Sequence, residues 1–285
     1  DGKDRLTALA CRVSSRPHWV RGFHTWMLGL ASQWMGVSGL HANSMAPVLV
    51  SREQGRRKSS FCRALMPDVL ARYYTDNLKL TSQGQAERML AEMGLLNMDE
   101  FDKYAESKMP LLKNLMQMSV LNIRKAYQQN FRQLPRIASF IGTSNRFDLL
   151  TDPTGSRRFL CIEVKHDIDC TGIEHDRIFA QLKAELIAGR RSWFTKSEEE
   201  ELQRHNEAFY RVSLAEEAVR SLFRAPLPAE KSIDLTAADI FDELQKKHPA
   251  LMRGSNPVQF GSVLLRAGLK RRHTKYGNVY EVVRR

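Results

Sequence analysis

Four short stretches carry side chains whose types and order suit phosphoryl chemistry. The first is SREQGRRKSSF, Ser51 to Phe61, where Lys58 precedes Ser59 and Ser60 between an apolar run and a helical pattern. An ammonium beside a hydroxyl at a strand-to-helix turn is the arrangement that holds phosphates and their Mg2+. The second is Asp99-Glu100, which follows the apolar run Leu95–Met98. Here Asp99 would hold Mg2+ through water or through Ser59, and Glu100 would polarise the attacking water. The third, Thr143-Ser144-Asn145, ends another apolar run and offers the Asn145 amide to the γ-phosphate or its water. The fourth is Ser156-Arg157-Arg158. A guanidinium presented across a subunit boundary can stabilise the transferring group by about three to five powers of ten in rate. Taken singly, these are a basic turn, a solvated acidic loop, a turn asparagine and a surface arginine pair. Their succession at the ends of strand-like runs is what points to ATP with Mg2+.

The first stretch departs from the pattern G-x-x-x-x-G-K-[ST]. Arg52 and Arg57 stand where glycines are wanted, and Gly55 is the one glycine left in the loop. Glycines there let backbone N–H groups wrap phosphates with no side chain in the way. The phosphate contacts expected are Gly55, Arg57, Lys58, Ser59 and Ser60, with Ser59 and Asp99 as metal ligands. Three outcomes stay open: a remodelled active loop, nucleotide binding without turnover, or a lost site. The intact acidic pair and Asn145 favour the first.

The elements that must position these groups read as strands separated by helices, the pattern of a mostly parallel sheet with helices on its faces. Trp26, Leu30 and Trp34 recur at fourfold spacing and predict a buried helix face within residues 5–40. A strand is expected at 46–50, then a helix from about Ser59 to Ala71. Ser82 caps a helix ending at Gly94, and Leu95–Met98 forms a buried strand. Helical periodicity covers 106–121, strands 137–142 and 158–164, and helices 174–188 and 197–223. Asp152-Pro153-Thr154-Gly155 is a turn signal.

Ala225-Pro226-Leu227-Pro228 reads as a linker. Beyond it Thr236 caps one helix, Asn256-Pro257 opens a second, and Tyr276-Gly277-Asn278 turns between two strands. Helix, helix and hairpin in so short a span predict a winged helix. Lys270, Arg271, Arg272 and Lys275 on it are the expected nucleic-acid contacts. A solvated domain that packs on a protein is the alternative.

The whole chain of 285 residues carries a net charge of +12, which favours a polyanionic partner. Its apolar runs are too short to span a bilayer, so no membrane association is expected. Cys11, Cys62, Cys161 and Cys170 are widely spaced, with no C-x-x-C, which predicts a cytoplasmic setting rather than a zinc or disulfide framework. The cluster His166, Asp167, Asp169 and Cys170 matches no tetrahedral metal pattern. A second enzymatic reading uses Asp152, Glu163 and Lys165 as the D…E-x-K of a Mg2+-dependent nuclease. A third is a non-catalytic module that binds nucleotide and DNA.

The run FIGTSNRFDLLTDPTGSRRFLCIEV, Phe140 to Val164, resembles the virulence-associated protein E (VapE) family. LLNMDEFD, LPRIASFIGTSN, NIRKAYQQN and QLKAELIAG are similar to that family's acidic strand end, arginine-led sensor strand, basic segment and downstream helix. The similarity spans roughly residues 45–223. It implies an α/β P-loop NTPase core of the AAA+ type, akin to superfamily 3 helicases, that binds ATP and Mg2+ as a homo-oligomeric ring. It also implies a role with single-stranded or duplex DNA in phage or mobile-element replication, beside a primase. The matching positions imply Lys58 and Ser59 at the phosphates and Mg2+, Asp99 and Glu100 as the acidic pair, Asn145 as sensor and Arg158 as arginine finger. The organisation expected is an N-terminal helical segment over 1–44, a P-loop ATPase domain over 45–224 and a winged helix over 230–285. The chain opens on Asp1, which leaves room for a preceding domain.

Overall fold

A computed structural model describes residues 2–39, 41–80, 82–124, 131–151, 156–257, 260–275 and 277–285. It divides into two compact units, Asp1–Arg211 and Val212–Arg285. In the first unit, helices α1 (Arg5–Cys11) and α2 (Pro17–Trp34) lead to strand β1 (Ala46–Val50) and helix α3 (Lys58–Ala64). Then come β2 (Tyr74–Thr75), α4 (Gln83–Glu92), β3 (Leu95–Met98), α5 (Met109–Gln117) and a hairpin of β4 (Val120–Arg124) and β5 (Phe131–Pro135). The unit continues with β6 (Ser139–Ser144), β7 (Phe159–Glu163), α6 (His175–Ile187) and α7 (Lys196–His205).

The central sheet has the order β2-β3-β6-β1-β7, and its strand pairs are all parallel. A parallel sheet is covered on both faces, so its strands read as continuous apolar runs. Accordingly β1, β3 and β6 are buried at every position. Alternate residues face opposite ways. Leu49, Leu95, Ile141 and Leu160 meet residues of α1, α2, α3, α6 and α7. Val48, Leu96, Phe140 and Cys161 meet residues of α4 and α5.

The segment 1–44 belongs to this core. Trp19, Phe23 and Trp26 of α2 are fully buried. Each such burial contributes roughly 1.5–3 kcal/mol. A buried polar network adds direction: Gln33 Nε2 donates to the Ala138 carbonyl at 2.9 Å, and Asn43 Nδ2 donates to Ser139 Oγ at 2.9 Å. These bonds fix α2 to the start of β6.

Several expected boundaries differ, each for a local reason. The helix expected over 59–71 stops at Ala64, and 68–73 form a separate 3-10 turn. Met66 precedes Pro67, whose ring disfavours helical backbone at the residue before it. The helix expected over 106–121 covers only Met109–Gln117, and Val120 and Leu121 belong to β4. The long helix expected over 197–223 is broken at Asn206, whose buried amide closes the outer edge of β7. Its Nδ2 donates to the Ser156 and Phe159 carbonyls at 3.0 and 2.7 Å, and its Oδ1 accepts from Cys161 N at 3.3 Å. An edge strand otherwise offers unpaired backbone groups. The strand expected from Arg158 begins at Phe159, and Arg158 ends a 3-10 turn, Ser156–Arg158. The turn expected at 152–155, and most of the basic segment 122–130, lie outside the described residues.

The second unit contains α8 (Leu214–Leu222), β8 (Phe223–Arg224), β9 (Ile233–Thr236), α9 (Ala237–Lys247), α10 (Phe260–Arg266), β10 (Lys270–Thr274) and β11 (Gly277–Arg284). Strand β11 pairs antiparallel with β8, β9 and β10. Ala218 and Val219 of α8 pack with Ile240, Phe241, Leu244, Phe260 and Leu264. Residues 214–222, expected at the end of the 45–224 domain, therefore belong to this smaller core. Thr236 caps α9 in a reciprocal box with Asp239.

Arg136 is the strictest test of the first unit's packing. It is 2% exposed, and its guanidinium donates to the carbonyls of Met116 (2.6 Å), Ala138 (2.7 Å), Asn43 (3.0 Å) and Leu115 (3.2 Å). Burial pulls its pKa down to about 9. Two of these carbonyls are in the last turn of α5, where the helix dipole favours a cation. Each buried carbonyl left unpaired costs about 1–3 kcal/mol. Arg136→Ala should therefore lower the unfolding free energy by more than about 3 kcal/mol in urea melts. Arg157→Ala, whose contact among the described residues is an exposed one 3.7 Å from Glu199, should change it by under about 0.5 kcal/mol.

Candidate nucleotide site

In an open parallel sheet the carboxyl ends of the strands form the ligand-binding edge. The register sets which residues meet there. Val50 lies beside Ser144 and Glu163, and Met98 lies beside Gly142. The loops after β1, β3 and β6 therefore emerge side by side.

From β1 the chain turns through 51–57 into α3. Gly55 has φ +84°, which glycine adopts without strain. Arg57 has φ 57° and ψ 27°, a left-handed conformation that costs a non-glycine residue about 1–2 kcal/mol. This is the position where the phosphate-loop pattern has its second glycine. Here an arginine takes the left-handed conformation that a glycine would adopt freely. Arg52 lies over the Phe147 ring at 5.2 Å, and Arg56 pairs with Glu53 and with Asp167 at 3.0 Å. These contacts fasten the loop on both sides.

Lys58 follows and is only 7% exposed. Its ammonium donates to Ser51 Oγ at 2.7 Å and to Asn145 Oδ1 at 2.9 Å. Burial holds its pKa below the usual lysine value, opposed by the charges of Asp99 and Asp102. An ammonium has three donors, and two are accounted for by these bonds. Ser59 Oγ donates to Asp99 Oδ1 at 2.7 Å, and Thr143 Oγ1 donates to the same oxygen at 2.6 Å. Glu100 has φ 50° and ψ 51°, and its N–H donates to Thr143 Oγ1 at 3.2 Å. Its carboxylate meets Lys103 Nζ at 2.6 Å. Ser144 Oγ donates to Asp102 Oδ1 at 2.7 Å.

The structure thus brings Lys58, Ser59, Asp99, Glu100 and Asn145 to one rim. Ser60, Gly55 and Arg57 are exposed on the loop and helix beside it. Arg158 is elsewhere. Its neighbour Phe159 pairs with Ala46, at the amino end of the sheet, whereas Val50 and Ser51 lead to the rim. At about 3.3 Å per residue, the length of β1 puts some 13 Å between the two edges. Thr143 and Asp102 are polar members of the cluster to which the sequence reading gave no role; a hydroxyl within a strand carries no motif of its own. Of the alternative set, Asp152 lies outside the described residues, and Lys165 sits 3.7 Å from Glu163 in an exposed ion pair.

The oxygens are of the hard type that Mg2+ takes: Ser59 Oγ and Asp99 Oδ1, joined by a hydrogen bond of 2.7 Å. Mg2+ takes few protein ligands and completes its shell with water and phosphate. It therefore does not need a dense cluster, and among the described residues no group of three His, Cys, Asp or Glu is arranged to hold a metal.

A parallel sheet with helices on both faces and a polar rim at its carboxyl edge defines an α/β protein consistent with a nucleotide-binding fold. The model of the virulence-associated protein E-like domain matches residues 1–211, and the chain belongs to that family. Residues 212–282 match a second model, the domain of unknown function DUF3874. Comparison with curated proteins gives no match. Among solved structures the chain is similar to apo forms of the NrS-1 C-terminal region (305–718). One has 11% identity and a TM-score of 0.48, covering 100% of this chain and 76% of that one. An A form has 15% identity and a TM-score of 0.41, covering 73% and 43% respectively. Among the described residues no helix is long and apolar enough to cross a membrane.

Proposed function

We propose that the first unit is a P-loop ATPase of the AAA+ type, akin to superfamily 3 helicases, acting on DNA in phage or mobile-element replication. The observation that carries this reading is the double contact at the rim, Lys58 with Asn145 and Ser59 with Asp99. It joins the three loops that phosphoryl transfer requires. Counting only the sheet's own strands in chain order, their spatial order is 2-3-4-1-5. The first strand is interior, with its outgoing loop at the point where connections diverge, which is where phosphates bind in such sheets.

Each residue then has a role. Lys58 pairs with the β- and γ-phosphates while Ser51 and Asn145 hold its ammonium in place. Ser59 and Asp99 would hold Mg2+, which would neutralise charge developing on the phosphoryl group. Glu100 orients water once its carboxylate leaves Lys103, and Asn145 reports the γ-phosphate. Arg158 lies at the far edge of its own sheet, so it serves a neighbouring subunit's site. A closed ring meets that requirement, and a primase is the natural companion activity.

The second unit follows the order helix, two short strands, helix, helix, hairpin, and we read it as a winged helix that contacts duplex DNA. Its candidate cations are not equivalent. Arg272 is ion-paired with Asp234 on β9. Arg271 is exposed on the opposite strand face, beside Ser262 of α10 and Asn278 of β11. Arg271 is therefore the stronger phosphate contact.

Two measurements test the proposal. ATP turnover should require Mg2+ and rise steeply with protein concentration. Glu100→Gln and Arg158→Ala should each lose about 100-fold or more. Mixing the two variants should restore part of the activity, because a site with intact Glu100 then meets a neighbour with intact Arg158. Failure of the mixture to recover would remove the shared-site claim. For the second unit, Arg271→Ala should reduce the slope of log affinity against log salt by about 1 on duplex DNA, while Arg272→Ala leaves it unchanged.

A further inference from the structure

We propose that Thr143 is a positioning residue that fastens both members of the acidic pair to the central sheet. The inference rests on the nucleotide reading above and adds a residue to it. Thr143 lies within β6 and is 3% exposed. A hydroxyl has one donor and two acceptor lone pairs. Thr143 uses the donor on Asp99 Oδ1 (2.6 Å) and accepts from the Glu100 N–H (3.2 Å). Both bonds are satisfied at once by one rotamer, and a β-branched side chain is stiff about that bond. The pairing of Met98 with Gly142 places Asp99 next to Thr143, so the contact follows from sheet register rather than from loop conformation.

Two consequences follow. Asp99 Oδ1 receives hydrogen bonds from both Ser59 and Thr143, which fixes the carboxylate plane relative to α3 and β6. Glu100 sits in left-handed backbone, which persists only where the surroundings over-determine it. The bond from its N–H to Thr143 is such a constraint. Thr143 thereby sets where the metal carboxylate points and where the water-orienting carboxylate begins. Its hydroxyl is engaged by Asp99 and by the Glu100 backbone.

The test uses Thr143→Val, which keeps the shape and removes the hydroxyl, and Thr143→Ser, which keeps the hydroxyl. Binding of a fluorescent ATP analogue in EDTA should be unchanged by either. The Mg2+ concentration that gives half-maximal enhancement of that binding should rise about 10–100-fold in T143V, with kcat falling by a similar factor and KM for ATP held. T143S should restore both to near wild type. In a Glu100→Gln background T143V should still shift the Mg2+ requirement, through Asp99, while adding no further loss of turnover. If T143V melts early, Thr143→Ala removes the same hydroxyl with less bulk and carries the same expectation. A wild-type Mg2+ requirement and kcat in T143V, or a T143S variant as impaired as T143V, overturns the inference alone. A wild-type protein that neither binds nor hydrolyses ATP overturns it together with the function proposed above.

Discussion

A lysine ammonium held almost out of water must be surrounded by oxygen, and the rest of the first unit is arranged so that this can happen at Lys58. Burial of a charged group without partners is among the costliest events in folding. Here the partners come from Ser51 at the end of β1 and Asn145 at the end of β6, with Asp99 and Asp102 supplying negative charge nearby. None of them is close to Lys58 in sequence except Ser51. They converge because β1, β6 and β3 are adjacent and parallel, and that adjacency depends on two apolar layers, one on each face. The helices before β1 are part of the same constraint, since Gln33 and Asn43 tie α2 to the start of β6.

The loop between β1 and α3 makes a tight strand-to-helix turn with unusual residues. Arg57 occupies a left-handed position that a glycine would take freely. Its neighbours Arg52 and Arg56 are held by Phe147, Glu53 and Asp167. The strain of one residue is thus offset by contacts on either side. On the proposed reading, arginine charge replaces part of the backbone cradle that glycines would supply, while Lys58, Ser59 and Asp99 keep their places.

Much of this is legible in the amino-acid sequence. Strands β1, β3 and β6 are short apolar runs because both faces of a parallel sheet are covered, and Lys58, Asp99 and Asn145 announce themselves by following them. Thr236 marked the start of α9 because its side chain caps it. What could not be read depends on register and on distant partners. Thr143 looks like any turn threonine until β3 and β6 are paired. Nothing in the local pattern marks Arg136 as buried, yet five carbonyls from three segments close around it. The helix expected through residue 206 is broken by a buried amide that serves β7, which no periodicity records. The local pattern makes Arg158 a strand residue, whereas it ends a turn on the edge of the sheet away from Lys58.

The central claim is that Lys58 and Asp99, brought together by sheet register, hold one Mg2+–triphosphate. Titration calorimetry of the full chain with a non-hydrolysable ATP analogue tests it most directly. The account predicts saturable binding near one nucleotide per chain that Mg2+ strengthens, weakened about 10-fold or more by Lys58→Ala and made insensitive to Mg2+ by Asp99→Ala. Absence of binding, or binding that Lys58→Ala leaves unchanged, would contradict it.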